Sequence, residues 1–318
     1  MSYSSYGRFL RDKFGCRVSK ISIDAGFSCP NRDGSLSTAG CAYCNGDSFR
    51  PKTSDHIKPI EQQISEGTDY LRLRYGAEKF IAYFQSATNT YAPLDVLVPL
   101  YEAAVARPDI VGLAIGTRPD CIDEEKLAWL QRLAEKYFVT IEYGLQSASD
   151  ETLRRVNRGH DVASWQNAVA MTRGRGIHIG THFILGFPWE SREETLSGAR
   201  VVSEAGIDFL KLHHLHIVRG SPLAEEYLRE PFHLPGLEEY AELAADFIER
   251  LNPDIYIERL FATAPAGQLI APAWGKSKAE IQRYIEQTIG KRAAKLLSEP
   301  IAKLGSCEPR INETLIHI

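Results

Sequence analysis

Ile110-Val-Gly-Leu-Ala-Ile115 runs into Gly116-Thr-Arg-Pro-Asp120. A segment opened by Asp123 follows, with Leu127, Leu130, Leu133 and Tyr137 on one face, and then Phe138-Val-Thr-Ile-Glu-Tyr143 leads into Gly144-Leu-Gln-Ser147. The two apolar six-residue runs read as strands, and the segment between them carries a helical stripe with Asp123 as its cap. This strand, polar turn, helix, strand unit recurs on both sides.

Upstream, Val18-Ser-Lys-Ile-Ser-Ile-Asp24 alternates as a strand, and Pro59 opens a helix carrying Ile60, Ile64 and Leu71. Lys79-Phe-Ile-Ala-Tyr-Phe84 is a second strand ending in Gln85-Ser-Ala-Thr-Asn-Thr90, and residues 94 to 106 form a helix. Downstream, Asp161 caps a helix with Val162, Trp165 and Val169, and residues 177–185 form a strand before Gly186-Phe-Pro188. Ser191 and Glu194 then make a capping box. Residues 208–217 and 254–259 read as sixth and seventh strands. Such alternation means parallel strands joined by right-handed crossovers, hence an α/β fold, either an open sheet or a barrel, full or partial. Polar residues collect just after strands one to five, where such folds place their sites. Residues 1–17 show no clear period and are expected to be a lead-in packed on the first strand. Residues 1–265 are expected to form the core. Residues 266–318, with a capping box at Ser277 and Glu280, are expected to form a helical extension over one end of the barrel.

The chain has 318 residues, 44% hydrophobic and 25% charged, enough for a full core and unlike a disordered segment. A net charge of −4 gives no global attraction to nucleic acid, so such binding would need a local basic patch. Neither a signal peptide nor a membrane span is visible, and the expectation is a cytoplasmic protein without membrane association. In that compartment clustered cysteines more often bind metal than form disulfides.

Three of the six cysteines lie in Cys29-Pro-Asn-Arg-Asp-Gly-Ser-Leu-Ser-Thr-Ala-Gly-Cys41-Ala-Tyr-Cys44, directly after the first strand. Its Gly, Asn, Asp and Ser let it bend and bring thiolates together. Three thiolates can hold a [4Fe–4S] cube and leave one iron open to a substrate or cofactor. Zinc also takes Cys₃ or Cys₄ sets, with Cys16 as a candidate fourth ligand, and spacing alone leaves both readings open.

The chain resembles the radical S-adenosylmethionine (SAM) enzymes, and within them the YhcC-like group. The stretches that carry this, in order, are Phe14-Gly15, Lys20-Ile-Ser-Ile-Asp-Ala-Gly-Phe-Ser-Cys-Pro-Asn-Arg-Asp-Gly34, Gly40-Cys-Ala-Tyr-Cys-Asn45, Tyr83-Phe-Gln-Ser-Ala-Thr-Asn-Thr-Tyr91, Gly116-Thr-Arg-Pro-Asp120, Glu142-Tyr-Gly-Leu-Gln-Ser147, Asn157-Arg-Gly-His160 and Leu185-Gly-Phe-Pro188. Eleven residues separate the first two cysteines, more than the superfamily's common three and typical of the YhcC-like group.

The resemblance implies a partial (β/α)₆ barrel with a [4Fe–4S] cluster on Cys29, Cys41 and Cys44 and SAM on the open iron. Reduction of SAM there releases methionine and a 5′-deoxyadenosyl radical that takes a hydrogen atom from an unreactive C–H bond, with the electron coming from a donor such as flavodoxin or ferredoxin. It further implies that Tyr43 packs on adenine and that the Ser86, Ala87, Thr88 turn receives the methionine amine, although relatives carry a Gly-rich motif there. Gln146 and Arg158 are implied to hold the ribose and carboxylate, with His182 where a related branch has a ribose-binding Asp and Gly186 and Pro188 shaping the adenine pocket.

Without the resemblance, Gln146 and Arg158 read as surface groups, and Arg118 and Asp120 as a simple pair. Strand alternation sends His213 to the opposite face from His214 and His216, which argues against a metal site there. Cys16, Cys121 and Cys307 read as structural. The substrate the resemblance points to is the wobble uridine of tRNA, whose carboxymethylaminomethyl group would be remodelled toward aminomethyl. Arg50, Lys52, Arg72, Arg74, Arg154, Arg155 and Arg158 would supply a basic rim for it. A small-molecule substrate is one alternative, and a zinc-stabilised nucleic-acid- or partner-binding protein without catalysis is another.

Overall fold

The computed structural model describes residues 3–46, 57–265 and 267–298, so Arg50, Lys52 and Cys307 lie outside the described residues. Six strands, β1 (Val18–Ile23), β2 (Lys79–Phe84), β3 (Ile110–Thr117), β4 (Phe138–Gln146), β5 (His178–Leu185) and β6 (Phe209–His214), lie side by side in chain order. After a short β7 (Ile217–Val218), β8 (Tyr256–Arg259) adds a seventh strand beside β6, and every pair in this sheet is parallel. The sheet curls until its edges meet: Lys20 on β1 donates to Glu258 on β8 at 2.7 Å and to Glu142 on β4 at 2.6 Å. The architecture is the partial barrel expected, with the seventh strand in place.

Helices α1 (Tyr6–Phe14), α2 (Ile60–Tyr75), α3 (Leu94–Val105), α4 (Glu124–Ala134), α5 (Asp150–Arg155), α6 (Val162–Thr172), α7 (Arg192–Ala205), α8 (Pro222–Arg229) and α9 (Leu237–Glu249) alternate with or follow the strands. Asp123, Asp161 and Ser191 cap α4, α6 and α7 through their side chains, and the capping box with Glu194 is formed. One face of the sheet buries Phe84, Leu113, Ile141 and Phe183 against Tyr101, Leu127 and Trp165 of the helices. The other face lines the barrel, so each strand is covered on both sides, and a fully buried aliphatic or aromatic side chain of this kind is worth about 1.5–3 kcal/mol.

The N-terminal segment is a helix rather than an irregular lead-in. Tyr6 meets the Phe209 ring edge-on at 4.7 Å, and Phe9 lies 6.0 Å from Phe138 and 4.8 Å from Tyr256. Those partners begin β6, β4 and β8, so α1 closes the N-terminal end of the barrel. Tyr6, Phe9 and Leu10 share the buried face of this helix, whose N-cap Ser5 makes no side-chain bond. The expected sixth strand stops at His214, because β7 leaves the barrel to pair antiparallel with β9 (Leu269–Ala271). Helix α10 (Lys278–Ser298) starts at the Ser277–Glu280 box and lies along α9, where Arg292 meets Glu242, Asp246 and Glu249. Helix α1 closes the N-terminal end, while Trp274 of the C-terminal segment stacks on His214 at the cavity end. Among the described residues no helix is long and apolar enough to cross a membrane.

Candidate active site

The cysteine loop is pinned to the chain that follows β4. Ala42 N–H donates to Val156 O at 2.8 Å, Asn157 Nδ2 donates to Gly40 O at 2.8 Å, and Asn31 Nδ2 donates to Asn157 O at 2.5 Å. Arg32 reaches across the loop to the Cys44 carbonyl. Gly40 leaves room for that crossing: its φ is +73°, and a Cβ there would fall 2.8 Å from the guanidinium. Asn31, Arg32 and Asn157 thus position the thiols. They stand inside the quoted stretches, but their roles depend on contacts between segments far apart in sequence.

Cys29, Cys41 and Cys44 line one cavity of about 1030 Å³ at the C-terminal ends of the strands. A single small-molecule site commonly spans ~300–1,000 Å³, so there is room for SAM and a second group. Tyr43, Ala87, Thr88, Gln146, Arg158 and His182 line the same cavity. Ser86 and Gly186 are not among the residues that line it. The Ser86 hydroxyl is buried without a partner, and Gly186, at φ +89°, lies against Pro235, where a Cβ would be 3.0 Å from the ring.

Three non-glycine residues have positive φ among the described residues: Ala87 at 62°, Gln146 at 76° and Asn157 at 50°. Each costs about 1–2 kcal/mol, and all three border this site. Ala87 adopts the backbone that a glycine would supply in that turn. At Gln146 the β4–β5 register shifts, and this irregularity aims the amide into the cavity. Gly144 keeps the space beside it clear, since a Cβ there would lie 2.6 Å from both Arg158 Nη2 and Gln146 Nε2.

Arg158 is 7% exposed, not a surface charge. Its Nη2 donates to Gly144 O at 2.7 Å and its Nη1 points at Cys41 Sγ at 3.6 Å, while its Nε is buried without a partner. Arg118 donates to Arg158 O at 2.7 Å and pairs with Asp120 at 2.7 Å. Burial pushes the Cys41 thiol up, but the Arg158 charge and the bonds from Arg158 and Asn31 prevail and hold it below its ordinary value. Cys44 is raised by burial, partly offset by Gly46 N–H, which donates to its sulfur at 3.3 Å.

Deeper in the barrel, Glu142 accepts from Lys20 at 2.6 Å, Lys211 at 2.5 Å, Tyr83 at 2.7 Å and His182 Nε2 at 2.9 Å. His182 therefore keeps only Nδ1 for a ligand. His213 stacks on His182 with ring centres 5.2 Å apart, whereas His214 contacts His216 (Nε2···Nε2 2.8 Å) and stacks on Trp274. The expected split of the three histidines is present, although all three reach the cavity wall because the chain turns after β6. Among the described residues no three His, Cys, Asp or Glu side chains converge on a single-ion position. The donor set fits a cluster. Three thiols are presented to one cavity, one of them is held toward the thiolate, and an arginine beside it has an unpartnered Nε.

The basic rim is largely dismantled. Arg72 bonds Asp109 just before β3 and Arg74 lies over Tyr75, so both sit at the end of the barrel opposite the cavity. Among the described residues of that rim, Arg158 is buried, and Arg154 and Arg155 remain exposed near the cysteine side.

Residues 29–200 match the Radical SAM superfamily and residues 207–291 the Radical SAM C-terminal domain. The chain belongs to the radical SAM superfamily. It is 37% identical over 287 residues to Protein YhcC of Escherichia coli, covering 89% of this chain and 92% of that one. Over 160 residues it is 31% identical to the tRNA uridine(34) acetyltransferase of Dehalococcoides mccartyi, 49% of this chain and 34% of that protein. The solved structure of archaeal Elp3 from Methanocaldococcus infernus, lacking its N-terminus, matches with a TM-score of 0.65 at 16% identity over 87% of this chain and 63% of that one, a likeness of fold. The YhcC-like reading is borne out, and with it an enzyme whose cofactors are a [4Fe–4S] cluster and SAM.

Proposed function

We propose that this radical SAM enzyme holds its cluster on Cys29, Cys41 and Cys44 and acts on the wobble uridine of tRNA, converting a carboxymethylaminomethyl arm toward aminomethyl. The observation that carries the substrate reading is the 160-residue relationship to a protein named for tRNA uridine 34. Bound together, the cluster and SAM supply a hydrogen-atom abstractor strong enough for an unactivated C–H bond. The chain's own residues bind and orient. Arg158, with its fork between Cys41 and Gly144, would take the SAM carboxylate. Gln146 and His182 Nδ1 would take ribose hydroxyls, Tyr43 would pack on adenine, and the Ala87–Thr88 backbone would receive the amine. An external reductant such as flavodoxin or ferredoxin would deliver the electron.

Losing the charge-assisted contact in Arg158→Ala is expected to weaken SAM binding by about 1.5–3 kcal/mol, roughly 10- to 100-fold, and calorimetry that finds parental affinity rejects this role. The substrate is tested by deleting the gene in a strain without a redundant pathway and profiling tRNA nucleosides by mass spectrometry. Accumulated 5-carboxymethylaminomethyluridine is the expected result, and an unchanged uridine profile overturns the reading.

A further inference from the structure

We propose that Arg259, with His213 beside it, is the subsite for a carboxylate on the substrate, which in the reading above is the carboxylate of the carboxymethylaminomethyl arm. The identity of that arm rests on the proposed function; the anion subsite rests on geometry. In a regular strand Arg259 would face away from the barrel when Glu258 faces in. Here the β6–β8 register shifts: Leu210 pairs with Ile257 and Lys211 with Arg259, so one residue of β8 is passed over. The result is that Glu258 meets Lys20 at 2.7 Å and Lys211 at 3.1 Å inside the barrel, while Arg259 also turns inward and lines the cavity.

Arg259 has no carboxylate within 4.0 Å and makes no side-chain hydrogen bond among the described residues. Glu258 and Glu142, the carboxylates around it, already accept from the two lysines. Arg259 lies half-buried on the cavity wall with no protein carboxylate beside it, so its fork is open to an anion that arrives with the ligand. His213 Nε2, beside it, is buried without a partner. Burial, then the charges of His182 and Arg259, hold that ring neutral, so it can donate one hydrogen bond beside the guanidinium fork. Arg158, the cation on the cysteine side, is engaged by Cys41 and Gly144, so the two arginines divide the cavity between two anions. A uridine turned out of the anticodon loop would carry its arm inward, as enzymes that act on bases require.

The test is anaerobic calorimetry on the full chain with cluster and SAM bound. The probes are an anticodon stem-loop RNA bearing 5-carboxymethylaminomethyluridine, its methyl ester, the aminomethyl form, and N-methylglycine as the arm without a base. The parent protein is expected to favour the carboxylate RNA over the ester by about 10- to 100-fold. That preference should vanish in Arg259→Gln and survive in part in Arg259→Lys, with SAM affinity unchanged in both. Equal binding of acid and ester by the parent protein overturns the subsite without needing any variant to fold, and leaves the tRNA reading standing if both RNAs bind. A drop in SAM affinity in Arg259→Gln also overturns it, because Arg259 would then serve SAM. If no RNA binds but N-methylglycine does, and depends on Arg259, the carboxylate subsite holds and the tRNA reading falls.

Discussion

Replacing Cys41 with alanine is expected to abolish SAM cleavage and leave the anaerobically purified protein without the iron and the broad absorption near ~400 nm that cysteine-held clusters give. Cys41 is the thiol most strongly prepared for ligation. It is buried, it lies 3.6 Å from Arg158 Nη1 and 3.5 Å from Asn31 Nδ2, and those groups favour its thiolate. Alanine removes a ligand and also leaves the Arg158 guanidinium without its sulfur partner. Cys29→Ala and Cys44→Ala are expected to do the same to iron content, since three thiols are the minimum that keeps one iron open. Cys16→Ala and Cys121→Ala are the controls. Cys121 is pushed up to about 12 by burial and by Asp120, and it does not line the cavity that holds the other three thiols. Full iron content and normal deoxyadenosine release in Cys41→Ala would defeat the assignment.

The strand-end positions were legible because a parallel sheet gathers its C-terminal loops at one end, whatever the details of packing. Orientation was not legible where the backbone departs from alternation. Gln146 and Arg259 both owe their direction to register shifts that leave no mark in composition. Ser86 and Gly186 sit in the expected loops but off the cavity wall, and nearness to a strand end does not by itself place a residue there. Arg72 and Arg74 were misplaced for a simpler reason: a helix of 16 residues returns the chain the length of the barrel, so its last turn lies at the far end. The charged floor did carry a signal. Lys20, Glu142 and Lys211 are the acid and the two lysines of β1, β4 and β6, and ionisable groups in doubly covered strands must find one another.

That floor carries the largest expected effect on stability. Glu142 is 1% exposed and accepts from two lysines, a tyrosine and a histidine, and Gly180 on the neighbouring strand leaves space for it, since a Cβ there would be 3.0 Å from Glu142 Cγ. Glu142→Leu leaves Lys211 with one carboxylate in place of two and strips His182 and Tyr83 of their acceptor. Breaking a buried pair from one side costs about 3–5 kcal/mol, and that is the loss expected in denaturant unfolding of the variant. Glu142→Leu combined with Lys211→Met should recover most of it, because Lys20 and Glu258 remain paired at 2.7 Å and no charge is stranded. The pH dependence has a definite sign. Burial pushes the Glu142 carboxyl up, but Lys20, Lys211 and the His182 bond outweigh it and hold the group well below its ordinary range. Its stabilisation is therefore fully present above the unfolded value of about 4.3 and is lost as the pH falls below that toward the folded value. Parent and double variant should then converge in stability as the pH drops from about 5 to 3, and a gap between them that stays constant over that range, or a Glu142→Leu variant within ~1 kcal/mol of the parent at neutral pH, means the barrel is not held by this carboxylate.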